Sequence, residues 1–211
     1  MLTKNEIKKR WANELFIAKN RLTIDAIASN RAVISDADLA GIVIGQNASL
    51  VELKSKSLYK SDVRSVNLSF AKISGSMSNS VFIDVNFYEA NLDRCVILES
   101  RIEKCDFSCA RLIVKMDDSI IESSVFVGSK FNGGTAGLEY GGRRVKFFYC
   151  NFKNAVFNKV EFRASRFLHC NFSETKFIGC DFRGVQVEGG APPLASQFEK
   201  MDVPSWASYV K

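Results

Sequence analysis

Little in this chain has the spacing that catalysis requires. His169 is the single histidine. No serine and carboxylate stand in register with it as nucleophile and orienting acid. The glycines form neither GxGxxG nor GxxxxGK[ST], so no phosphate cradle is written in the chain. Six cysteines are present, but there is no CxxC and no His/Cys cluster of zinc spacing. Paired carboxylates such as Asp117 and Asp118 fall in turns with no evident pocket. The expectation is a protein that is not an enzyme, holds no cofactor and no metal, and works through its outer surface.

What positions the remaining polar groups is a repeat. Phe147, Phe152, Phe157, Phe162, Phe167, Phe172, Phe177 and Phe182 recur at every fifth position, and Val187 continues the series. Two residues before each stands something small or apolar: Val145, Cys150, Ala155, Val160, Ser165, Cys170, Thr175 and Cys180. A period of five fits neither a helix face nor an alternating strand. Residues two apart in extended chain share one side, so the small residue and the phenylalanine both point inward. The other three residues return the next pair to the interior. Such a chain coils around its own core, and successive coils pair as parallel strands.

Upstream the repeat runs through Ile34, Leu39 and Ile44, then Leu53 to Ile73, then Met77 to Leu112, then Met116 to Phe131. Each of the three joins is a four-residue step, read as a tightened corner, and the coil register near residues 44–53 and 112–121 is left open. Lys56 falls on an inward position in this scheme. Between residues 132 and 144 the pattern stops. Five glycines make this a flexible insertion, with Leu138, Glu139 and Tyr140 at its middle and Arg143 and Arg144 at its exit. A functional loop on a rigid scaffold and a tolerated surface insertion both remain open.

The ends read differently. Thr3 to Glu6 forms a capping box, and a helix is expected to about Asn20, with Ile7, Trp11, Leu15, Ala18 and Leu22 on one stripe. Residues 1–31 are expected to cap the first coil, since a solenoid needs its ends covered. Residues 188–211 open on a Gly/Pro-rich stop. Leu194, Phe198 and Met201 are spaced for a short helix, followed by Trp206, Tyr209 and Val210. This tail either caps the last coil or pairs with a second subunit.

The triplets Ala37-Asp38-Leu39, Ala90-Asn91-Leu92, Cys105-Asp106-Phe107, Cys150-Asn151-Phe152, Cys170-Asn171-Phe172 and Cys180-Asp181-Phe182 resemble the A(D/N)LXX motif of the pentapeptide-repeat proteins. The resemblance covers roughly residues 32–187. It implies an all-β solenoid, a right-handed four-sided β-helix with four repeats per coil, flanked by an N-terminal helix and a short C-terminal helical tail. It also implies that residues twenty apart stack. Lys146 then lies over Arg166, beside Arg143 and Arg144, as the best basic patch. Arg163 lies over Arg183 and Glu161 over Asp181, a self-neutralising ladder. Asp84, Glu99, Glu103, Asp117, Asp118 and Glu122 gather around one corner, interrupted by Arg101, Lys104 and Lys115.

Partners follow from the same likeness. The quinolone-resistance (Qnr) members protect DNA gyrase and topoisomerase IV through a proposed mimicry of duplex DNA by an acidic rod. Some members dimerise through a C-terminal helix, which the resemblance favours here. The charge points elsewhere. Residues 143–183 carry nine Lys/Arg against Glu161, Glu174 and Asp181, the whole net charge of +6, and the pI is near 9.0. Three readings result: a scaffold for an unassigned protein partner, a topoisomerase-protecting DNA mimic, and a binder of nucleic acid or an anionic surface through the basic C-terminal coils. At 211 residues, 46% of them hydrophobic, the chain has enough apolar content for one domain with a sizeable core. No run reaches the length of a membrane span and no signal-peptide pattern is present, so the expected location is the cytoplasm.

Overall fold

The computed structural model describes residues 2–30, 32–134, 139–190 and 192–209. Two parallel eight-stranded sheets run the length of a rod. Between them, isolated parallel bridges join residues such as Asn67, Asn86 and Asp106, or Gly141, Glu161 and Asp181. The coil therefore has four faces. Face one carries Ile34, Val63, Phe82, Ile102, Ile121, Phe147, Phe167 and Val187 as its inward column. Face two carries Leu39 through Phe172. Face three carries Ile44, Ile73, Leu92, Leu112, Phe131, Phe157, Phe177 and Phe198. Face four carries Leu58, Met77, Ile97, Met116, Phe162 and Phe182.

The five-residue period works as its chemistry dictates. The phenylalanines stack on those of the next coil: Phe131 lies 4.5 Å from Phe157 and Phe147 lies 4.7 Å from Phe167, ring planes nearly parallel. Burying each side chain contributes about 1.5–3 kcal/mol. The small inward residues do a second job. Ser80, Ser100, Ser119 and Ser165 donate their hydroxyls to carbonyls of the preceding coil at 2.7–3.1 Å, so these buried hydroxyls are satisfied. Thr175 donates likewise to Phe152, and Cys180 Sγ stands 3.3 Å from the Phe157 carbonyl. All six cysteines are free, and only Cys109 is exposed. Burial pushes the Cys105 thiol up to about 12 and the Cys180 thiol up to about 11. Corners are turned by residues in the left-handed region, among them Lys104, Ala164 and His169 at φ 53–54°.

The steps at Ile73–Met77 and Leu112–Met116 are tightened corners. There the strands Lys72–Ser76 and Arg111–Lys115 run straight through, and opposite them Asn91–Val96 fits its extra residue as a bulge. The first break is different. Ile44 and Leu58 are the consecutive inward residues, so residues 45–57 are an excursion, carrying a 3-10 turn at Val51–Leu53 that packs under the N-terminal helices. Lys56 is half-buried there rather than inside the coil. Asn132 is still on the sheet, Gly133 donates to Asn158, and Gly141 already pairs with Lys115 and Glu161.

One long N-terminal helix does not form. The chain makes α1 (Lys4–Lys9), a 3-10 turn, α2 (Glu14–Lys19) and α3 (Arg21–Ala28). Asn13 breaks it: its extended backbone and side chain cap Phe16 at 3.0 Å. Consequently Leu15 and Leu22 face solvent, while Ile24 and Ile27 of α3 are fully buried. Trp11 donates to the Ala40 carbonyl at 2.9 Å. At the other end no helix forms over Leu194–Met201 either. Ala195–Gln197 is a 3-10 turn and Phe198–Glu199 joins face three beside Phe177. Pairing with an open strand edge outweighs the helical spacing. Trp206 packs against Phe182 and Phe198, and Gln197 satisfies the Phe172 and Thr175 carbonyls, so the tail caps the last coil.

Candidate interaction faces

A filled interior leaves only the outside for function, and register decides which side chains meet there. On face four the expected ladder forms. Arg143 pairs with Glu161 at 2.7 Å, Arg163 with both Glu161 and Asp181, and Arg183 with Asp181. Arg183 and then Arg163 hold the Asp181 carboxyl well below its ordinary range. Asp117 accepts from the Arg143 backbone and lies 3.7 Å from Lys115. Arg144 and Asp118 form a two-pronged pair, both bonds 2.6 Å, and Asp118 is lowered by it. Arg143 and Arg144 are thus neutralised rather than joined to a basic patch.

The six acidic residues do not share one corner. Asp117, Asp118 and Glu99 lie where face four meets face one. Asp84, Glu103 and Glu122 lie across face one, at its far edge. Arg101 and Lys104 pair with Glu103, which lowers that carboxyl. Asp84 accepts from Ser65 at 3.4 Å. Among the described residues, Glu99 and Glu122 have no ion partner.

Lys146 and Arg166 do stand one over the other, both exposed. Beside them register places Phe148 over Leu168, half-buried and facing out, and at the corner Tyr149 stacks on His169 at 5.0 Å. Ile120, above Lys146, is 42% exposed. Sequence reading missed this apolar and aromatic patch because it followed only charge. His169 is exposed, as its corner position indicated. Tyr140, half-buried, lines a groove of about 420 Å³ with Arg94, Lys115 and Glu161. Leu138 lies outside the described residues.

Register also assembles a set of cations on face three that segment-by-segment counting scatters. Lys72, Arg111, Lys130 and Lys176 fall in one outward column. Among the described residues no group of histidine, cysteine and carboxylate side chains could hold a metal ion, and no helix is long and apolar enough to cross a membrane.

Geometry defines the class first: a parallel β-solenoid with four faces and a close-packed aromatic interior. Residues 146–185 match the family model for pentapeptide repeats, in eight copies, and the coil extends on both sides of that match. No protein of curated function matches it in sequence. Among solved structures it is similar to a trypsin-treated variant of QnrB1, a plasmid-mediated fluoroquinolone resistance protein. That pair has 15% identity, covering 74% of this chain and 92% of the other, with a TM-score of 0.41. It is also similar to HetL, involved in heterocyst differentiation regulation in Nostoc sp. strain PCC 7120. There the identity is 12%, covering 89% and 95%, with a TM-score of 0.22.

Proposed function

We propose that this protein is a non-catalytic scaffold that holds a protein partner against face one. The patch of Phe148, Leu168, Tyr149 and His169 beside Lys146 and Arg166 carries this reading. Aromatic and apolar anchors flanked by unpaired cations are the composition of protein contact surfaces. The fixed spacing of the coils holds these groups at no ordering cost on binding. The test is affinity capture from the native host with the intact protein and with a Tyr149→Ala, Leu168→Glu double variant. One protein should be recovered with the first and fall at least tenfold with the second. If every recovered protein is retained equally by the variant, face one is not the docking surface. A DNA-mimicking protector of topoisomerases gains little support, because its acidic residues divide between two corners and Glu103, Asp117 and Asp118 are matched by cations. Gyrase supercoiling under a fluoroquinolone should therefore not be relieved by this protein. Relief that Asp117→Lys with Asp118→Lys abolishes would reinstate the mimic.

A further inference from the structure

Three faces of the rod pair most of their charges or carry few, Lys146 and Arg166 of face one excepted. Face four is a closed ladder, face one pairs Arg64 with Asp62 and Arg101 with Glu103, and face two presents mainly Asn and Ser. Face three does not. Its outward column carries Lys72, Arg111, Lys130 and Lys176, all exposed. Asn91 and Val156 interrupt that column, and on their coils and on that of Gln197 the corner three residues further on carries Arg94, Lys159 and Lys200, exposed and in the left-handed conformation, so the cations come one to a coil. None of these seven forms an ion pair among the described residues. Among the described residues Asp93 and Glu199 stand between the columns and Glu139 lines a groove with Arg94, Arg111 and Lys159, while Lys8 of α1 adds to the top, its ammonium lowered by burial and by Lys4 and Lys72.

We propose that face three is a docking surface for the phosphate backbone of a nucleic-acid duplex. Charge is one argument: a row of seven cations outside any ion pair, against three acids, suits a stiff polyanion, whose condensed counterions are released on contact. Spacing is another. The seven cations come one to a coil, about every 4.8 Å along the rod, divided between two columns roughly 10 Å apart, close to the ~12 Å width of a major groove. Cations of the two columns can then face the two phosphate rails. Composition excludes other occupants. No large hydrophobic side chain on this sheet is exposed, so nothing inserts into a bilayer as membrane-surface elements require. No exposed aromatic offers the stacking platform that single strands use; Tyr140, at the corner, lies with its ring edge against Gly134.

The experiment is fluorescence anisotropy with a labelled 30-base-pair mixed-sequence DNA duplex at about 50–200 mM KCl. The intact protein is compared with Lys130→Glu, Lys176→Glu on face three and with Lys146→Glu, Arg166→Glu on face one, two reversals of equal net charge. The face-three variant should bind at least tenfold more weakly, with a log–log salt slope shallower by about two. The face-one variant should change less than threefold. Circular dichroism checks folding, and Lys130→Gln, Lys176→Gln replaces the reversal if it misfolds. Equal weakening by both variants, or no duplex binding at the lowest salt, overturns the proposal. So does tighter binding to the matching single strand, or binding to phosphatidylserine vesicles in place of the duplex. Because the face-one variant also removes two cations of the partner patch, the DNA and capture results fail independently.

Discussion

At the scale of single residues the fold depends on one kind of contact, a ring lying on the ring of the next coil. Phe157 is fully buried and stacks on Phe131 at 4.5 Å and on Phe177 at 5.2 Å. Phe157→Ala leaves a hole that two parallel strands cannot close, so it should cost about 3–5 kcal/mol, read from urea midpoints at unchanged m-value. Asp181 makes a different contribution. Its carboxyl is 9% exposed and held low by Arg183 and Arg163. A depressed carboxylate stabilises the fold above its unfolded value, near about 3.9, and that stability disappears as the pH falls through the folded value. Asp181→Asn should therefore melt lower than the parent at neutral pH. The gap should narrow progressively below about pH 4, checked by melting across that range.

Elements show where local sequence is sufficient and where it is not. The coils from Phe147 to Val187 were legible because each inward position is filled by the same type of residue, twenty residues to a turn. The excursion at 45–57 was not, since Leu53 lies nine residues after Ile44 and imitates a short step followed by a full one. Leu194, Phe198 and Met201 imitate a helix stripe, yet Phe198 completes the face-three sheet, a partner twenty-one residues away that spacing alone does not reveal. The cations of face three were hidden for a related reason: Lys130 and Lys176 stand on the same column but are separated by the insertion, so no fixed interval finds them. That insertion rejoins the coil through one backbone position. Gly141 sits at φ +123°, and a Cβ there would lie 2.1 Å from the Glu161 carbonyl oxygen. Gly141→Ala should cost about 2–3 kcal/mol and lower the melting temperature, whereas Gly128→Ala, whose added methyl meets only Cys109 Sγ at 3.6 Å, should cost less.

For the molecule as a whole, the ends decide whether it stays a single rod. The tail spends Phe198, Trp206 and Gln197 on the last coil, leaving Leu194, Val203 and Tyr209 among its exposed apolar groups. Truncation after Gly190 uncovers Phe177 and Phe182 together with an unpaired parallel edge. Light scattering should show the truncated protein aggregating at tens of micromolar, where the full chain does not. If truncation leaves a well-behaved monomer, the tail is dispensable as a cap. Between the caps every coil is hydrogen-bonded only to the coil before and the coil after. Under tension such a rod has no shared seam that must fail at once. Pulled by its ends in an optical trap, it should give way as a run of similar, small rupture events. Each should release about 65 Å, the contour of twenty extended residues less one coil spacing, with longer releases at the 29-residue coil from Ile34 to Val63 and the 26-residue coil from Ile121 to Phe147.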